Sequence, residues 1–149
     1  MSTTSNNAPI LVNSAEQKYI ERSVREWLDT YPDKPVIQID YEYLNDISGM
    51  TLSTAKSAVK VSQYITGGYK AQYQFNILYR TIAENTDERL KIDEALNAFG
   101  EWCENNPLTL GTGMVVNKVE RTTNAGIAAR FDDGVEDHQI SLTLTYEVI

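Results

Sequence analysis

The chain has little from which to build catalytic chemistry: its 149 residues include one cysteine, Cys103, and one histidine, His138. A single cysteine excludes an intrachain disulfide and fits a reducing compartment. Cations are also scarce, with 13 Lys and Arg against 21 Asp and Glu and a formal net charge of −8. That sign argues against general nucleic-acid binding by phosphate neutralisation. It argues equally against docking on an anionic membrane. Long apolar runs are missing too. The first one, Ile10-Leu11-Val12, is short and has no basic residues before it. Neither a signal peptide nor a membrane span is expected, which points to a cytosolic chain. The length suits one domain, able to bury about 70% of the surface its unfolded chain exposes.

Several segments carry clear periodicity. Residues 1–9 are polar and read as a disordered N-terminal tail, leaving 10–149 as a single domain. A first helix is expected from Asn13 or Ser14, where Asn13/Glu16 or Ser14/Gln17 offers a capping box. Ile20, Val24, Trp27, Leu28 and Tyr31 share one face of it, and Glu16, Lys18, Glu21, Arg22, Arg25 and Glu26 take the other. Pro32 and Pro35 end it. Alternation from Val36 to Tyr43 predicts a half-buried strand, Asn45 to Thr54 a loop, and Ala55 to Ile65 a strand with Val59, Val61 and Ile65 on one face. Thr66-Gly67-Gly68 predicts a hairpin turn, its two glycines supplying positive φ.

The strongest alternation follows. Tyr69, Ala71, Tyr73, Phe75, Ile77 and Tyr79 face one way, against a mostly polar set from Lys70 to Arg80, as in an antiparallel sheet covered on one side. A second helix is expected over about Thr86 to Glu104, with Asn85 as N-cap, Glu88 at the capping-box position, and an apolar stripe of Ile92, Ala95, Leu96, Phe99, Trp102 and Cys103. Met114 to Arg121 and Gln139 to Val148 read as strands, with a loop from Thr122 to Gly134 between them. The fold class is therefore α+β, a mainly antiparallel sheet with two helices packed on one face.

Candidate sites each have a plainer alternative. Cys103 lies on an apolar stripe and reads as a small buried hydrophobe rather than a nucleophile. Asp132, Asp133, Glu136, Asp137 and His138 could ligate a divalent cation, but Asp-Asp-Gly is an ordinary turn and the spacing is not that of an EF-hand. Gly67-Gly68 opens into a strand, not a helix, so it does not cradle phosphate. The tyrosine strand reads as core rather than as a base-stacking platform. No cofactor, metal or catalytic site is expected. The segment from Thr122 to Gly134 is the best interaction element: it is polar, yet holds Ile127 and Phe131, with Asn124, Arg130, Asp132 and Asp133 beside them. An ordinary flexible connection is the alternative reading.

Tyr64-Ile65-Thr66-Gly67-Gly68-Tyr69-Lys70-Ala71-Gln72-Tyr73-Gln74-Phe75, with Arg80 beyond it, resembles a pattern of the tail terminator proteins of long, non-contractile-tailed bacteriophages. These are also labelled minor capsid or tail completion proteins. Phe99 and Trp102 near a helix end, Pro107-Leu108 followed by Gly111, Ala129-Arg130-Phe131-Asp132, and the closing strand to Tyr146 are similar to the family in order. Lys70-Ala71 stands where Arg directly before Gln72 is expected, His138 replaces an aromatic, and Leu44 to Ser62 departs from the pattern.

The resemblance implies an α+β structural protein, not an enzyme, acting as a homo-oligomeric ring, usually a hexamer, at the head-proximal end of the tail. Such a ring stops addition of the major tail tube protein and presents a surface to the head-completion or stopper protein. DNA passes through it without specific binding. The place of action would be the virion, after assembly in the host cytoplasm. On this view Asp132, Asp133, Glu136 and Asp137 would lie near the lumen or a docking rim. Another neck component, a connector or adaptor, is the alternative, and a small hydrolase using His138 a more remote one.

Overall fold

The computed structural model describes residues 10–149; the expected disordered tail, residues 1–9, lies outside them. In chain order the elements are β1 (Ile10–Leu11), α1 (Ser14–Leu28), β2 (Asp40–Tyr41), β3 (Gly49–Gln63), β4 (Tyr69–Ile82), α2 (Thr86–Asn105), β5 (Met114–Arg121), β6 (Gly126–Arg130) and β7 (Val135–Val148). They form one seven-stranded sheet of order β1-β3-β4-β7-β5, with β2 paired to β3 and β6 to β7. Every pairing is antiparallel except β2 with β3. This is the expected α+β class.

Local chemistry sets the helix ends. Asn13 Oδ1 accepts from the Glu16 N–H at 2.8 Å, and Asn85 Oδ1 from the Glu88 N–H at 2.9 Å, so each side chain satisfies a donor the helix leaves free. The reciprocal bond at α2 reaches one residue further back than in a capping box, with Glu88 accepting from the Glu84 N–H. Both helices lie on the face carrying Tyr73, Phe75, Ile77, Ile140, Leu142, Leu144 and Tyr146, all fully or almost fully buried. Trp27 of α1 stacks on Trp102 of α2 with centroids 5.6 Å apart, and Tyr31, just after α1, stacks on Phe99 of α2 at 4.2 Å. Stacked pairs like these add about 0.5–1.5 kcal/mol each beyond the area they bury. Ala95, placed on the stripe by its spacing, is exposed.

Between Val36 and Ile65, three expectations need correction. The strand predicted from Val36 to Tyr43 shrinks to Asp40–Tyr41, because Glu42 takes a left-handed φ of 50° and turns the chain out. Ile39 is buried there, while Ile37 and Tyr43 are exposed. The loop predicted to reach Thr54 ends by Ser48, where Asn45 Oδ1 accepts from the Ile47 and Ser48 N–H groups, and β3 begins at Gly49 with Met50 and Leu52 in the core. Register shifts along β3 carry Ala58 inward, not Val61 or Ile65, which are exposed. Such bulges reset a strand's period of two, so alternation read across them fails.

The Gly67-Gly68 turn forms as expected, closed by Gly67 N–H to Tyr64 O at 3.0 Å, but its glycines have different reasons. Gly67 alone takes positive φ, 95°, in open space. At Gly68 a Cβ would meet the Val148 carbonyl oxygen at 2.4 Å. Backbone cannot yield as a side chain can. Gly67→Ala should therefore cost about 1 kcal/mol, and Gly68→Ala about 2–3 kcal/mol. Urea melts of the two variants check the order.

Candidate functional site

The segment from Thr122 to Gly134 is not an open loop. Its middle is β6, which pairs with β7 from Gly126–Gln139 to Arg130–Glu136. β5 pairs with the other half of β7, so β5 and β6 share one lateral edge of the sheet. Between them, α2 holds the chain down: Asn97 Oδ1 accepts from the Ala125 N–H at 2.8 Å, and Glu104 accepts from the Arg121 Nε at 2.9 Å. Arg121 Nη1 reaches Asn124 Oδ1 at 3.3 Å. The strand went unseen in the sequence because Gly126, Ala128 and Ala129 give no alternation.

β6 leads into a short 3₁₀ turn, Asp132–Gly134, in which Asp133 and Gly134 take left-handed φ of 62° and 77°. Asp132 and Asp133 are exposed, and no cation lies within ion-pair distance of either among the described residues. Ile127 and Phe131 are also exposed. The inner face of Phe131 carries the Arg80 guanidinium, 4.6 Å from the ring centroid. Arg80 in turn grips Asp137 with two bonds of 2.7 and 2.9 Å. Of the predicted interaction residues, Ile127 and Arg130 lie on β6 and Asp132 and Asp133 in the turn, with Phe131 between the two elements and Asn124 just before β6.

The four carboxylates expected together divide into two pairs. Asp132 and Asp133 face solvent, whereas Glu136 and Asp137 are buried on opposite faces of β7. Glu136 accepts from Arg89 Nε at 2.7 Å and lies 3.6 Å from Arg130. His138, fully buried, has Nδ1 2.7 Å from Asp93 Oδ1 of α2 and Nε2 3.0 Å from Glu136 Oε1. Both ring nitrogens are occupied by carboxylates, so the ring fastens α2 to the sheet. Burial pushes the Glu136 carboxyl up, but the Arg89 and His138 bonds outweigh it and leave it below the ordinary carboxylate range. Cys103 is fully buried, and burial pushes its thiol up. No group of three or more His, Cys, Asp or Glu among the described residues is arranged to hold a metal ion. No helix among them is long and apolar enough to cross a membrane.

A second feature lies at the opposite edge. Lys18, Glu21, Arg22, Arg25 and Tyr41 line a cavity of about 350 Å³ between α1 and β2. Sequence reasoning assigned Glu21 to the solvated face; it is buried, accepting from Gln17 Nε2, Lys18 Nζ and Thr54 Oγ1 at 2.9–3.0 Å. Burial raises its pKa, and those bonds outweigh it to give a net lowering. The spacing of Lys18, Arg22 and Arg25 (i, i+4, i+7) in an acidic chain was the available signal.

No protein-family model matches the chain. No curated protein is detectably similar to it.

The folded-state pKa of Glu136 lies below its unfolded value, so its charge stabilises the fold above the ordinary carboxylate range and that contribution disappears as pH falls through the lowered value. Glu136→Gln should be less stable at neutral pH and lose less stability between about pH 5 and 3; urea melts across pH test this. His138→Ala unfastens Asp93 of α2 from β7 and leaves a cavity under the helix, while Glu136 keeps Arg89; it should cost about 2–3 kcal/mol, measured in the same way at pH 7.

Proposed function

We propose that the chain is a tail terminator subunit: copies of it form a ring, six in the reading favoured by the family resemblance, that caps the head-proximal end of a phage tail tube. The cap stops further addition of tube protein and offers the head-completion protein its docking surface. The observation that carries this reading is the sheet's pair of unlike, uncovered lateral edges. One edge, β5 and β6, ends in an exposed acidic turn with Ile127 and Phe131 beside it. The other carries exposed Ile10 and Leu11 on β1, and Tyr41 of β2 in the wall of a basic cavity. Unlike edges suit a head-to-tail contact, which closes into a ring when its rotation permits.

Further support comes from the match between the quoted family pattern and the parts that build the sheet. The Gly67-Gly68 turn and the Tyr69–Phe75 strand sit against the C-terminal strand, where Gly68 must be glycine for Val148 to approach. The hydrolase alternative fares worse: a histidine with no exposed surface and both nitrogens engaged has no route to a substrate.

Electron microscopy of particles made by a phage lacking this gene is the test. The expected result is filled heads beside tails of uncontrolled length. Tails of normal length that fail to join heads would transfer the chain to the connector or adaptor class. Normal infectious virions would overturn the reading.

A further inference from the structure

The chain has six arginines. Four of them, Arg80, Arg89, Arg121 and Arg130, are paired with carboxylates. Arg22 and Arg25 have no carboxylate within 4.0 Å among the described residues, and both line the α1–β2 cavity. In a chain of net charge −8, two guanidiniums with no carboxylate partner on one cavity stand out from their surroundings. The one carboxylate in the cavity, Glu21, is already committed to Lys18, Gln17 and Thr54. The cavity therefore presents an excess of about two positive charges to whatever enters it, with the Tyr41 ring as an apolar wall.

The complementary group lies on the same molecule, at the far edge of the sheet. Asp132 and Asp133 are adjacent, exposed and free of cations, on a turn whose left-handed backbone holds them at the end of β6. They cannot reach their own chain's cavity, because β3, β4 and β7 lie between the two edges. We propose that the Asp132-Asp133 turn of one copy enters the Arg22/Arg25 cavity of the next, with the exposed Phe131 packing towards Tyr41. The occupant is thus a second copy of this chain. Guanidinium–carboxylate pairing fixes which edge meets which, and like edges repel. This inference rests on the ring reading above and specifies its subunit contact.

Salt titration is a poor probe, since added salt screens both this contact and the general repulsion between acidic copies. Charge exchange separates them. One chain carries Arg22→Glu and Arg25→Glu. The other carries Asp132→Lys and Asp133→Asn, asparagine being tolerant of the left-handed backbone. Circular dichroism melts establish that each folds. Association is then followed by native mass spectrometry and sedimentation, with wild type alongside.

Each variant alone should associate at least about tenfold more weakly than wild type, because its contacts set like charge against like or leave it unpaired. Mixed in equal amounts, they should recover assembly. In the mixture every contact is either wild-type Arg–Asp or the reversed Glu–Lys pair, so only alternating, even-numbered assemblies should form. Wild-type-like association by the Arg22→Glu/Arg25→Glu chain, or folded variants that show no recovery on mixing, would overturn the contact while leaving the ring reading to the gene-disruption test. A wild-type chain that stays monomeric at millimolar concentration would overturn it as well.

Discussion

Fourteen consecutive antiparallel pairs join β4 to β7, from Tyr69–Val148 to Ile82–Val135, without a register shift. The other elements depend on this ladder. It brings the final strand of the chain beside a hairpin strand made some seventy residues earlier, and it lines up the aromatic face of β4 with Ile140, Leu142, Leu144 and Tyr146 on one side of the sheet. A slip of one residue would turn that whole set to the opposite face. Gly68 guards the upper end of the register, where the Val148 carbonyl leaves no space for a Cβ.

The helices are fastened to this ladder in two chemically different ways. Aromatic stacking joins the α1 side to α2, through Trp27–Trp102 and Tyr31–Phe99. Partly buried polar bonds tie each helix to the sheet. Glu16 of α1 takes the hydroxyls of Tyr69 and Tyr146, while His138 and Glu136 of β7 take Asp93 and Arg89 of α2. Burial first, then the neighbouring carboxylate, pushes the Tyr69 phenol up to about 12, and Tyr146 moves the same way, so both remain neutral donors. Glu136 and His138, which the sequence offered as candidate cation ligands, bind α2 to the sheet.

Legibility followed the strength of the periodic signal. β4 and α2 stood out because Tyr69 to Tyr79 alternates without interruption and Asn85 and Glu88 mark a helix start. β3 was misread where its bulges break the alternation, with Ala58 rather than Val61 turned inward. β6 was invisible because glycine and alanine carry no face preference. The candidate interaction residues were found by composition, Ile127 and Phe131 being unexpected in a polar stretch, but the bonds that tie down the chain before them were not, since these come from Asn97 and Glu104 of a distant helix. Glu21 was placed on the solvated face because its partner Thr54 is 33 residues away and cannot be anticipated from helical spacing.

What emerges is a scaffold whose polar interior is spent on holding two helices to a sheet, leaving two chemically unlike edges free. On the proposed reading, these edges let copies meet head to tail around a closed ring. The proposed place of action is tested most directly with gold-labelled antibody to the chain, viewed on intact phage particles and on isolated tails. Label confined to the end of the tail that meets the head is the predicted result. Label along the tube, at the distal tip or nowhere on the particle would contradict the account.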